Sequence, residues 1–471
     1  MSLNSFYYPK SIAIIGASNN PSKAGYQVAS NMMRLGFKGE VYFVNPNEDV
    51  IFGKKSYNSL SEIEGEVELI EISIPAKGVV SVFEEAEKRG DVKAAIIMAS
   101  GFSETGIEEN IKIEKQMLEI AARAGIRVFG PNCVGVMNTD NNLDTTFAPN
   151  ITQRPGGMSV ISQSGSIGSA ILMFACDQPV PMGFSKWGHV GNMSDVTTEE
   201  ILRYYSDDES TKVIAMYMEG MTHARGFFEA AKEVTQKKPL LVLKVGRSEI
   251  GSVAAASHTG SLAGADKIFD GAFKQTGVLR ADTVEELVDT AKAFSMIDLP
   301  KGNRIAILTE AGGPGVISMD EVGSHEEVQM AKFSEETEQK LRELLPPMAL
   351  ISHPDGYVDM TASADGPQHA EALEIILKDD GVDAVLLLSV PPTFLTPTQI
   401  AEYVNSKMKL AKKLNKPVFA CFLAGNWVKD AHIMMEQSGI PTFEMPQRAA
   451  RALVNVIKYS KYISETGSEG K

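Results

Sequence analysis

The sequence predicts an α/β protein made of three doubly wound domains. Two observations carry this. Short apolar runs alternate with helical patterns along the whole chain, the signature of parallel sheets flanked by helices. The pattern also restarts twice, near residues 151 and 303, and each start has a strand, a small-residue turn and a helix. The expected domains are 1–150, 151–298 and 303–462.

In the first domain, residues 11–16 read Ser-Ile-Ala-Ile-Ile-Gly, a short apolar strand ended by glycine. A helical pattern at 26–35 follows, then strands at 41–44 and 69–74, ended by Asn45-Pro46 and Pro75. A helix at 79–89, a strand at 94–98 and a helix at 111–124 lead to 127–129 and Gly130-Pro131-Asn132-Cys133.

The second domain opens with a strand at 157–161 and the turn Ser162-Gln163-Ser164-Gly165-Ser166. Strands at 181–186, 213–218 and 240–245 alternate with helices at 199–205 and 224–234. Helices at 265–276 and 283–296 close it. The turn-rich segment 299–303 precedes the third domain, whose first strand, 304–309, ends in Glu310-Ala311-Gly312-Gly313-Pro314-Gly315. Later strands fall at 384–390 and 417–422, with helices at 371–377 and 398–414. Residues 463–471 read as a frayed tail.

With 471 residues, 44% hydrophobic and 22% charged, the composition is that of a globular protein. The formal charge of −15 argues against nucleic-acid binding, which needs a basic face. No run reaches the ~18 apolar residues of a membrane span, and no signal-peptide pattern opens the chain. The three cysteines, Cys133, Cys176 and Cys421, are far apart, which fits a reducing cytoplasm and no zinc site.

The three turns are the first functional signal. A helix N-terminus offers unpaired N–H groups and a positive dipole end, which suits phosphate. The first turn, from Gly16 through Ser18 and Lys23 to Gly25, is not G-x-G-x-x-G. Strand two ends in Asn45-Pro46, where dinucleotide sites place an acid for the ribose hydroxyls. That disfavours NAD and suits a nucleotide with a ribose phosphate, such as coenzyme A, with Lys23 meeting a phosphate. The second turn, with Ser164, Gly165 and Ser166, and the third, with Gly312 and Gly313, suit free phosphate.

The second signal is His258, the one histidine in the small-residue run 252–265. It follows a buried strand, so it belongs on a loop at the carboxyl edge of a sheet, where open α/β folds bind ligands. If two of the helix starts face each other with His258 between them, they stabilise a phosphorylated imidazole. Glu219 ends a strand of the same domain. A carboxylate on one imidazole nitrogen fixes the tautomer and leaves the other as nucleophile.

Together, Gly130–Cys133, Ser162–Gly165, Ser257-His258-Thr259-Gly260 and Ala311–Gly315 resemble the α subunit of nucleoside-diphosphate-forming acyl-CoA synthetases. Archaeal ADP-forming acetate–CoA ligase is the best-known type, and succinyl-CoA ligase is a more distant relative. The resemblance runs from Ser5 to about Ile457. It implies a Rossmann-like CoA-binding domain followed by two flavodoxin-like domains. By motif match it makes His258 the phosphorylated nucleophile and Glu219 its orienting acid. It places Ser164, Gly165, Ser166, Gly312 and Gly313 on phosphate. It places Gly16, Ser18, Lys23, Asn45, Pro46, Pro75 and Ser100 on CoA. ADP or ATP, with Mg, would sit on a separate ATP-grasp β subunit, commonly in an α2β2 assembly. The substrate would be a small carboxylic acid or its acyl-CoA.

The chain departs from the family pattern at three places. Glu310 stands where the family usually has Asn, and a carboxylate there repels phosphate unless it turns away. Gly191-Asn192-Met193-Ser194-Asp195 and Gly356–Ala362 are altered versions of family segments. The alternative reading is a catalytically inactive CoA-binding or scaffold subunit of the same family.

Overall fold

The computed structural model describes residues 3–148, 151, 153–221, 223–253 and 266–469. They form two compact units, 1–176 with 182–280, and 177–181 with 281–471. The architecture is α/β, with three mostly parallel sheets and helices between their strands.

The first unit holds two sheets. In the first the strands run in the order Val50–Ile51, Lys54–Tyr57, Glu40–Val44, Ser11–Ile15, Leu69–Ile72, Ala94–Ile97, Arg127–Phe129. All pairs are parallel except the Val50–Tyr57 hairpin. Ser11–Ile15 is buried at every position, as expected of a near-continuous apolar run covered on both faces. The direction of strand addition reverses there, so the loops after it open a crevice at the carboxyl edge.

The second sheet has the order Leu279–Ala281, Leu240–Lys244, Val213–Met218, Pro155–Ser162, Phe184–His189, Gly135–Asn138, Leu143–Asp144. The first of its parallel strands in chain order, Pro155–Ser162, again marks the reversal. The hairpin 135–144, inside the stretch expected as the first domain, pairs antiparallel with Phe184–His189. The short helix Asn4–Tyr7 joins the same core: Tyr7 and Tyr205 share a buried hydroxyl contact of 2.8 Å, and Phe6 packs on Phe129.

The second unit carries the third sheet, ordered Leu350–Ile351, Tyr357–Asp359, Arg304–Thr309, Ala384–Ser389, Val418–Phe422, Thr442–Phe443. Gln329–Met330 also pairs with Arg304–Thr309. The expected frayed tail is corrected: helix continues from Pro446 to Glu469. Ala449, Ala450, Leu453, Val454 and Ile457 recur at helical spacing and are buried. Arg448 binds Asp289 through two nitrogens at 2.7 and 2.8 Å, and Arg451 binds Glu321 likewise at 2.8 and 2.9 Å. The expected helix 398–414 is two helices, Pro397–Asn405 and Met408–Leu414.

Candidate functional site

Each sheet places its small-residue turn at the carboxyl end of the strand where the order reverses. In the first sheet, Gly16 has φ +91°, and a Cβ there would lie 2.8 Å from Ile74 Cγ2. A Cβ on Gly25 would lie 2.1 Å from the Gly16 carbonyl oxygen, so glycine lets the helix Ala24–Leu35 sit on the turn. Its N-cap, Lys23, is exposed and caps with no side chain. Asn45, Pro46, Pro75 and Ser100 follow the neighbouring strands at the same edge. Asn45 donates to the Ala17 carbonyl at 2.7 Å.

An acid is nevertheless present at this edge. Glu48 accepts from Ser18 Oγ at 2.7 Å and from the Asn19 N–H at 3.0 Å. The Ser18 hydroxyl, followed by the Asn19 amide groups, holds the Glu48 carboxyl below the usual carboxylate range. The carboxylate is thus engaged by the turn itself. The residues present are of a kind that fits CoA: the helix start at Ala24 has no side-chain cap and could offer N–H groups to a phosphate, and Lys23 could meet one, while the Ser18 and Asn19 donors are held by Glu48.

In the second sheet, Ser162 Oγ accepts from the Ser164 N–H at 3.1 Å and donates to the Ser164 carbonyl at 2.6 Å. This closes the turn before the helix Gly165–Cys176. Ser164 Oγ lies 3.3 Å from Ser166 Oγ. A Cβ on Gly165 would come within 2.4 Å of Val134 Cγ2.

Glu219 is brought to this turn. The Gln163 side chain reaches the next strand end: its Oε1 accepts from the Glu219 N–H at 2.7 Å and the Gly220 N–H at 3.1 Å, and its Nε2 donates to the Gly220 carbonyl at 2.8 Å. Tyr217 donates to the Glu219 carboxylate at 3.3 Å, and burial, with that carboxylate, pushes the Tyr217 hydroxyl up to about 12. The strand Leu240–Lys244, which precedes His258 in the chain, pairs with the strand Val213–Met218, which Glu219 follows. His258 itself lies outside the described residues.

In the third sheet, Ala311 precedes the helix Gly312–Gly323 without capping it by a side chain. Gly312 and Gly313 are its first residues. Glu310 is buried and faces the interior, while a second acid, Asp359, stands at the helix start: a Cβ on Gly312 would be 3.2 Å from Asp359 Oδ2.

Three family models match in succession: a CoA binding domain over residues 10–139, a succinyl-CoA ligase like flavodoxin domain over 155–294, and a Ligase-CoA domain over 305–464. A curated relative from Pyrococcus furiosus, acetate–CoA ligase (ADP-forming) II subunit alpha, is 44% identical over 98% of both chains. The chain belongs to the family of ADP-forming acetate–CoA ligase α subunits. A longer relative from Methanocaldococcus jannaschii, acetate–CoA ligase (ADP-forming), is 40% identical, with 96% of this chain and 62% of that one covered. The solved dinucleotide forming acetyl-coenzyme A synthetase 1 of Ca. Korarchaeum cryptofilum, in complex with phosphate and ADP, matches with a TM-score of 0.91 at 34% identity over 99% of both chains. An α subunit implies a partner subunit. Among the described residues no helix is long and apolar enough to cross a membrane.

Within this α subunit, sequence reasoning missed Glu48 and His189, and quoted Gln163 and Asp359 without giving either a role. Glu48 lies three residues past Asn45, beyond the position where a dinucleotide acid is sought. The reach of the Gln163 amide depends on strand neighbours 56 residues apart. Of the two altered motifs, Gly191–Asp195 packs on Gly130–Cys133, with the Asn192 N–H on the Pro131 carbonyl at 2.9 Å and the Ser194 N–H on that of Gly130 at 3.1 Å, and Gly356–Ala362 holds the strand Tyr357–Asp359 beside Arg304–Thr309.

Proposed function

We propose that this chain, with an ATP-grasp β subunit in an α2β2 assembly, interconverts acyl-CoA, phosphate and ADP with a carboxylic acid, CoA and ATP. Its family membership supports the reaction type. The observation that carries the site assignment is the Gln163 side chain, which ties the Ser162–Gly165 turn to Glu219.

In the proposed sequence, a phosphate oxygen attacks the thioester carbonyl, the C–S bond breaks, and CoA leaves as the thiol with a proton. His258 then attacks phosphorus of the acyl phosphate and releases the carboxylate. The phosphoryl group finally passes to ADP on the partner, which holds Mg, and His258 returns to neutral imidazole. Such transfer depends on positioning and charge stabilisation. Ser164, Gly165 and Ser166 hold phosphate at one helix start, and Gly312 and Gly313 offer the other. Glu219 orients His258. Gly16, Ser18, Lys23, Asn45, Pro46, Pro75 and Ser100 hold CoA, whose thiol accepts or gives up the acyl group. The three successive family-model spans support domains at 1–150, 151–298 and 303–462. The cysteine pattern supports a cytoplasmic protein.

The test is the complex co-purified with its partner, assayed for CoA- and ATP-dependent phosphate release over a panel of carboxylic acids. Turnover with at least one acid is expected. A complex that binds CoA and turns over none would favour the inactive scaffold.

A further inference from the structure

We propose that His189 and Gln163 are positioning residues for the phosphoryl step, a two-residue clamp that holds Glu219 in register with the helix start at Gly165. The inference rests on the reading above that Glu219 and this turn serve phosphoryl transfer.

His189 ends the strand beside the turn, and its two ring nitrogens have distinct partners. Nδ1 accepts from the Val134 N–H at 2.8 Å, so Nε2 carries the proton and donates to the Gln163 carbonyl at 3.3 Å. The ring is buried, and burial pushes its pKa down to about 4, so this neutral tautomer persists across the working range of a cytoplasmic enzyme. The Gln163 N–H donates to the Tyr217 carbonyl at 3.2 Å, which holds the residue from its other side.

With its main chain held on both sides, Gln163 aims its amide at the next strand end. Only one orientation satisfies its three contacts. Turned over, the amide would set NH2 against two N–H donors and oxygen against a carbonyl. The chain of contacts therefore runs from Val134, just after the Gly130–Cys133 segment, through His189 and Gln163 to the backbone of Glu219. Gly165 closes it from above: a Cβ there would lie 3.3 Å from His189 Cε1 and 2.4 Å from Val134 Cγ2.

Among the described residues, the hydrogen bonds of His189 and Gln163 do not include Gly16 or Asn45 of the CoA edge. That separates its effect from a general loss of structure. The test uses the complex with its partner, labelled with γ-phosphate-labelled ATP. Gln163→Met and His189→Leu are expected to slow formation of acid-labile label roughly 10–100-fold, the cost of a misplaced catalytic group. CoA affinity should stay within about twofold, and the double variant should be no slower than the slower single, because coupled residues are not additive. His189→Gln keeps a donor at the Nε2 position and should recover most of the rate. Wild-type labelling rates in both apolar variants would overturn the clamp. So would losses that multiply in the double variant, or that are matched by loss of CoA affinity. A wild-type complex that takes no acid-labile label would overturn the phosphohistidine reading and the clamp with it, which distinguishes the two failures.

Discussion

Glu310 and His369 face each other inside the third sheet's unit, with the carboxylate Oε2 3.6 Å from the imidazole Nε2 and both side chains fully buried. The other carboxylate oxygen accepts from Ser389 Oγ at 2.6 Å. His369 Nδ1 donates to the Asp365 carbonyl at 2.7 Å, which leaves Nε2 as the ring atom turned toward the Glu310 carboxylate. The carboxylate thus turns away from the helix start at Gly312, the condition the sequence sets for a phosphate to sit there.

Loss of either partner leaves the other buried and uncompensated. His369→Leu should therefore destabilise the chain by at least ~1–3 kcal/mol. Glu310→Gln with His369→Leu should cost less than the sum of the singles. Urea unfolding of the singles and the double checks this, and additive costs would contradict it. Glu310→Asn drops both contacts, so a loss of stability rather than a gain of activity is expected.

The charge that does stand at the third helix start is Asp359. If Gly312 and Gly313 hold phosphate, Asp359 competes with it, and removal of a full charge should be worth ~1 kcal/mol, about fivefold. Asp359→Asn keeps an acceptor for the Thr361 N–H, which now donates to Oδ1 at 2.9 Å. A severalfold lower KM for phosphate is expected in steady-state assays. A more than tenfold fall in kcat would instead show a direct role for the carboxylate.

Glu71 is fully buried in the first sheet with Ser73 Oγ at 2.6 Å on one oxygen. Burial raises its carboxyl to about 8 from an ordinary 4.5. The folded state then holds a proton that the unfolded state releases. Stability is full below about pH 4.5 and falls as pH rises toward 8, by up to ~1.4 kcal/mol per pH unit. Glu71→Gln, neutral at every pH, should flatten the urea midpoint across that window. An unchanged slope would contradict the assignment.

Much of this was legible in the sequence. The strand, small turn and helix at Gly16, Ser162 and Glu310 were found because apolar runs ended by small residues have a local cause, and all three turns sit where the strand order reverses. The direction of a side chain is not local. Nothing in the sequence said that Glu310 turns to His369, 59 positions on, or that Gln163 reaches Glu219. The hairpin 135–144 joins the second sheet through antiparallel pairing with Phe184–His189, a register set by residues about fifty positions away. The last helix escaped notice because its polar final turns resemble a tail, although its apolar stripe starts at Ala449.

At the CoA edge, Gly16→Ala would force a side chain onto φ +91° and against Ile74. A cost of ~1–3 kcal/mol and a matching loss of CoA affinity are expected. Because Glu48 is already bound by Ser18 and Asn19, it is not available to a ribose diol, so the wild-type chain should bind CoA more tightly than NAD. Calorimetric titration with both ligands decides, and tighter NAD binding would contradict the assignment.

The most direct test of the account is the chemistry of the phosphorylated residue. The complex with its partner is incubated with γ-phosphate-labelled ATP, and the label on this chain is followed in acid and in base. The account predicts a phosphoramidate, lost in acid and retained in base, absent from His258→Ala together with activity. It also predicts a fall of ~10²–10⁴ in the labelling rate for Glu219→Gln. An acid-stable label, or a fully active His258→Ala complex, would contradict it.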